Sequence, residues 1–200
     1  MGAIRLDTHP ELHLKVTEGN QQRQFELLRD MVSVGLEIPF GVTDHIVCAL
    51  HAHATVDLVD SPGSIRTENV HIRSSDHVPP AAQDVRNHMG EFFIELKRKW
   101  QSEQPFLLAA YALWRICWIH PFEDGNGRTA RAVAYMVICL RLKQWLPGKE
   151  TLLHKIKKHN TEYSKALKHA DKTAMTGNAD LIPLALLLAT HTSEQIAASV

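Results

Sequence analysis

The chain lacks an excess of charge of either sign: its 200 residues carry 22 Lys+Arg against 22 Asp+Glu, a formal net charge of zero. This excludes a nucleic-acid binder that works through a bulk basic field. Long hydrophobic runs are also missing. No run reaches the roughly 20 apolar residues a membrane-crossing helix requires, and residues 1–18 hold no signal-peptide core. The expectation is a cytoplasmic protein with no membrane partner. Cysteine is scarce. Cys48, Cys117 and Cys139 are odd in number and widely spaced, with no Cys-x-x-Cys, so free thiols in a reducing compartment are expected. No Gly-rich motif ends in Lys-Ser or Lys-Thr, and no His is followed directly by Asp. These absences argue against a P-loop nucleotide hydrolase and a helical metal phosphohydrolase. Low-complexity tracts and internal repeats are absent too.

Hydrophobic residues make up 44% of the chain, enough for a substantial core. The densest apolar stretches flank one polar loop. Phe106–Ile119 is apolar except for Arg115, and Ala132–Leu140 is wholly apolar. The pattern predicts two central helices over about 105–119 and 126–145, joined by Ile119-His120-Pro121-Phe122-Glu123-Asp124-Gly125-Asn126-Gly127-Arg128-Thr129-Ala130-Arg131. A loop this polar, mounted on elements this apolar, is expected to do chemistry.

The loop's residue types say which chemistry. Asp124-Gly125-Asn126-Gly127 predicts a tight turn with φ > 0 open to the glycines. Its backbone N–H groups form an anion-binding nest, reinforced by the start of the second helix. Arg128 and Arg131 fall three apart on one helix face. Cations there oppose the helix dipole at a cost of roughly 0.3–1 kcal/mol each. A polyphosphate between them reverses the balance, since each charged hydrogen bond contributes about 1.5–3 kcal/mol. Asp124 beside such an anion calls for a cation, and Mg²⁺ commonly takes one carboxylate plus phosphate oxygens. His120 is the group suited to accept a proton near neutral pH. Its place at a helix C-terminus favours the protonated form, so a base needs an opposing influence.

Around this centre, residues 1–20 read as an irregular arm and 21–200 as one domain. Helices are predicted from Gln21 to Gly35, from Thr43-Asp44 to about Val59, over 81–100, over 150–171 and over about 180–198. His51 and His53, two apart, face different sides of a helix and do not share a metal. Ser64-Ile65-Arg66 and Val70-His71-Ile72 flank a polar corner and predict a hairpin within 61–72.

His120 to Arg131 resembles the signature of the Fic family, H-x-F-x-[DE]-G-N-G-R-x-x-R, at every defined position. Pro62-Gly63-Ser64-Ile65-Arg66 followed by Asn69-Val70-x-Ile72 resembles that family's flap. The resemblance covers roughly residues 25–190. It implies an all-α helical bundle with a β-hairpin flap beside the active-site loop. It also implies transfer of AMP from ATP, with Mg²⁺, to a Ser, Thr or Tyr hydroxyl of a target protein. On that resemblance His120 is the base, Phe122 anchors the loop, and Asp124 holds Mg²⁺. Gly125, Asn126, Gly127 and Arg128 bind phosphates, and Arg131 takes the γ-phosphate. Gly63, Ser64, Ile65 and Arg66 dock the target as an added strand, with Ile65 as the clamp. The alternatives are another nucleotide donor, phosphate transfer, or a weakly active nucleotide-binding module.

Many Fic proteins carry an inhibitory [ST]-x-x-x-E-[GN] helix whose glutamate occupies the second signature arginine. Thr190-His191-Thr192-Ser193-Glu194-Gln195 departs from it at Gln195, and Glu18-Gly19-Asn20 departs at Leu14. Glu194 is the first expectation and Glu18 the second.

Overall fold

A computed structural model describes residues 9–72, 75–148 and 150–199. Among them the regular structure is helical: α1 (Pro10–Glu37), α2 (Asp44–Thr55), α3 (Val85–Lys99), α4 (Pro105–Ile119), α5 (Asn126–Leu142), α6 (Leu152–Lys158), α7 (Asn160–Ala174) and α8 (Ile182–Ala197). The all-α fold class expected from the sequence is present.

The apolar runs make α4 and α5 the central pair, packed most extensively on each other. Ala109, Leu113, Ile116, Val133, Met136 and Val137 are fully buried between the layers. α1 and α2 cover α5, while α3 and α8 cover α4. Pro105 opens α4, where the missing N–H costs nothing. α5 ends at Lys143 in the left-handed region, with Gln144 N–H closing onto the Cys139 carbonyl.

The structure corrects four expectations. Residues 10–20 are not an irregular arm: α1 runs unbroken from Pro10. The inward face before Gln21 escapes a search for apolar periodicity because its buried residue is Asn20, one turn ahead of Gln24. Both are buried and donate to the α2-side carbonyls of Val56 (2.7 Å) and Leu50 (3.0 Å). Residues 1–8 of the arm lie outside the described residues. α2 stops at Thr55 rather than Val59, because Asp57 turns left-handed at φ +60°. The helix expected over 150–171 is two helices meeting at His159.

The fourth correction is the flap. No strand forms over 61–72 among the described residues. Its first limb and its corner are tied to other elements. Gly63 N–H donates to His51 Nδ1, Arg66 N–H donates to the Pro121 carbonyl at 2.9 Å, and Asn69 Oδ1 accepts the Ala82 N–H at 2.9 Å. The Gly63 and Arg66 N–H groups are thus not available to a ladder.

Candidate active site

The signature loop opens where α4 ends. His120 closes that helix with its N–H on the Ile116 carbonyl and then turns into the left-handed region at φ +50°. Such a backbone is unusual for a residue other than glycine and is held only when its surroundings insist. Here the insistence comes from Arg66. Arg66 is 7% exposed, and its guanidinium donates to the carbonyls of His120 (2.8 Å), Glu68 (2.9 Å) and Pro80 (2.6 Å). Arg66 is therefore a cap on the carbonyl end of α4. Its expected role in target docking is corrected, since neither its side chain nor its N–H faces outward.

His120 Nδ1 lies 3.2 Å from the Cys117 carbonyl, an acceptor only, so Nδ1 carries the hydrogen and Nε2 keeps its lone pair. Burial pushes the imidazole pKa below its ordinary value. The Arg66 and His77 charges push the same way, against the Cys117 hydrogen bond and Asp124. This supplies the influence opposing protonation that the sequence did not reveal.

Phe122 is fully buried and its ring stacks on His51 at 3.8 Å and 5°. Asn126 does not aim its side chain at a ligand. Its Oδ1 accepts the Phe122 N–H at 2.9 Å and its Nδ2 donates to the Phe122 carbonyl at 2.8 Å. It contributes a fixed turn and its own backbone N–H. Gly125 caps α5 at φ +77°, and a Cβ there would lie 2.5 Å from Thr55 Cγ2. Gly127 is helical, so of the two signature glycines only Gly125 uses positive φ. The N–H groups of Asn126, Gly127 and Arg128 open the helix and have no acceptor within it. These donors lie at the positive end of the α5 dipole.

Asp124 is held at both ends. Its carbonyl accepts from His51 Nε2 at 2.8 Å, and its Oδ2 lies 3.1 Å from Arg128 Nη2. The carboxylate is 71% exposed. Arg128 spends its other terminal nitrogen on the Ala54 carbonyl at 2.7 Å. Arg131 folds back toward Gly127, with Nη1 3.3 Å from where a Gly127 Cβ would stand, and its charge reaches the buried Tyr163 hydroxyl.

Arg128 and Arg131 open into a cavity of about 440 Å³ between α1, α5 and α6, shared with Glu18, Phe25, Thr151 and Lys157. Glu194 is not among its walls. It pairs with Lys155 at 3.2 Å and His191 at 3.1 Å, which corrects its assignment to Arg131. Glu18, brought in by the extended α1, lines the same cavity as the two arginines.

Three residues at the site escaped the sequence reading: His51, the buried role of Arg66, and Tyr163. A histidine-rich helix gives no spacing signal for one ring whose partners lie far along the chain. Arg66 within a polar segment reads as solvated.

The family model described as the Fic/DOC family matches residues 41–138. A protein adenylyltransferase Fic of Nematostella vectensis is 37% identical over 44% of this chain and 19% of that protein. One of Drosophila persimilis is 31% identical over 58% of this chain and 23% of that protein. The chain thus spans about a fifth of the length of these curated relatives. A crystal structure of a Fic family protein from Desulfovibrio desulfuricans superposes with TM-score 0.67 at 23% identity, covering 85% of this chain and 52% of that one. A Fic domain containing signaling protein from Bacteroides thetaiotaomicron gives 0.69 at 19% identity, over 90% and 69%. The matched segment runs from before α2 almost to the end of α5 and carries the whole signature loop, and the chain belongs to the Fic/DOC family.

Proposed function

We propose that this chain is a protein adenylyltransferase that moves AMP from ATP to a Ser, Thr or Tyr hydroxyl of a protein. The observation that carries the reading is the His120 imidazole, neutral by environment and hydrogen-bonded through Nδ1, next to a helix-start nest with a carboxylate and two arginines. The target oxygen attacks the α-phosphorus while His120 Nε2 takes its proton. The bond to the bridging oxygen breaks, and pyrophosphate leaves toward the nest and the arginines. Catalysis here is positioning and electrostatics.

The residues fit Mg²⁺ held jointly with substrate: Asp124 offers one exposed carboxylate beside a phosphate nest, which is how Mg²⁺ usually binds in such sites. Bound there, the ion neutralises charge on the phosphates. Target docking rests on exposed Ser64 and half-buried Ile65, since Gly63 and Arg66 are committed inward. Glu18 is the inhibitory glutamate in this reading. It stands in the arginine cavity where a γ-phosphate would compete with it for Arg131. Three free cysteines suit a reducing compartment such as the cytoplasm. Among the described residues no helix is long and apolar enough to cross a membrane.

The test is incubation with α-labelled ATP, Mg²⁺ and a cell lysate, beside His120→Ala. Label on protein that disappears in the variant supports the reading. Transfer that survives the loss of His120, or label only from the γ-position, overturns it.

A further inference from the structure

His51 lies on α2, outside the signature, and is 1% exposed. Its ring makes three contacts, each with a different piece of the site. One face stacks on Phe122, the loop's apolar anchor. Nδ1 accepts the Gly63 N–H at 2.9 Å, and Nε2 meets the Asp124 carbonyl at 2.8 Å. A backbone N–H only donates and a carbonyl only accepts, so the tautomer is fixed: Nε2 bears the hydrogen and Nδ1 the lone pair. Gly63 is itself pressed against α2, with φ +83° and the site of a Cβ only 3.1 Å from the Cys48 carbonyl. Asp124 precedes Gly125, whose missing Cβ would stand 3.3 Å from the His51 ring.

We propose that His51 is a positioning residue whose two ring nitrogens divide the work. Nε2–H sets the peptide that carries Asp124 into the nest, and Nδ1 sets the 61–66 segment over the site. The inference rests on the functional reading above, because it assigns the Asp124 side to nucleotide and metal binding. A ring that merely filled core space would need neither nitrogen. The two bonds separate chemically. In His51→Asn the amide oxygen takes the place of Nδ1, keeping the acceptor for Gly63 and losing the donor to Asp124. In His51→Gln the amide nitrogen reaches the place of Nε2, keeping the donor and losing the acceptor.

The experiment measures Mg·ADP binding by calorimetry and amide hydrogen exchange of the 61–66 segment by mass spectrometry. Mg·ADP has no γ-phosphate for Glu18 to oppose. His51→Asn should weaken Mg·ADP binding by about tenfold, the scale of one lost hydrogen bond, with exchange at 61–66 as in the parent. His51→Gln should bind Mg·ADP within about twofold of the parent while 61–66 exchanges about tenfold faster. His51→Phe keeps the stacking face and has no ring nitrogen, so it should show both defects together. Amide variants that move both readouts alike, or move neither, overturn the inference, as does a His51→Phe chain that matches the parent in either. Should both amide variants fail to fold, His51→Phe alone decides. A parent that binds no Mg·ADP overturns the functional reading and the Asp124 half with it. The exchange readout then still decides the Gly63 half.

Discussion

Arg66 Nε donates to the backbone carbonyl of His120 at 2.8 Å, so the residue that caps α4 is also the one that holds the imidazole's backbone in its left-handed turn. Removing the guanidinium leaves buried carbonyls without donors. Arg66→Ala should destabilise the fold by at least about 2 kcal/mol, the cost of losing charged hydrogen bonds at a buried site. Urea unfolding followed by circular dichroism checks it. A change under about 0.5 kcal/mol, the range of an ordinary surface substitution, would remove Arg66 from this role.

The His120 pKa is depressed, chiefly by burial, so its neutral form persists to lower pH than in a free imidazole. The neutral form is the one that accepts a proton. Transfer should therefore fall only as pH drops through that lowered pKa. The acidic limb of kcat/KM is expected below about 6.5, the ordinary histidine value. An acidic midpoint at or above it would contradict the environment described.

Gly125 and Gly127 should respond oppositely to alanine. At Gly125 a methyl meets Thr55 Cγ2 at 2.5 Å and the backbone has φ +77°. Strain and overpacking together should cost at least about 3 kcal/mol in a denaturation experiment. At Gly127 the methyl meets only the tip of Arg131 at 3.3 Å, and helix propensity favours alanine by up to about 1 kcal/mol. Gly127→Ala should match or exceed the parent in stability yet bind Mg·ATP more weakly, because the methyl stands on the nest.

Glu18 and Glu194 are separated by their surroundings. Glu18 shares the cavity of Arg128 and Arg131, whereas Glu194 is bridged to Lys155 and His191. Glu18→Gly should raise transfer of α-label several-fold, since loss of one charged competitor is worth about 1.5–3 kcal/mol. Glu194→Gly should leave transfer within about twofold while slightly lowering the melting temperature, as expected for a partly exposed pair. The reverse pattern would restore the C-terminal glutamate.

What the sequence made legible were features with local causes. Two apolar runs and a Gly-Asn-Gly turn suffice to place α4, the loop and the start of α5. Long-range bonds hid the rest. The first part of α1, before Gln21, was missed because its buried contact with α2 is Asn20, polar by type. The hairpin was wrongly expected because β-branched alternation around 65–72 says nothing about whether Arg66 and Asn69 find partners elsewhere. His51 and Arg66 became visible only once the chain brought distant carbonyls to them, and no spacing rule records that.

The amide of Asn126, clasped on both sides by the Phe122 peptide, bears on how the protein ages. An asparagine followed by glycine is chemically prone to lose ammonia when the next backbone nitrogen reaches its side-chain carbon. Here helical geometry and the double clasp hold that carbon away. The damage is confined to moments when the loop opens. Each such event would put a carboxylate against the Phe122 carbonyl and a fresh negative charge at the start of α5, so old protein would fail first at this turn while its helices still stood.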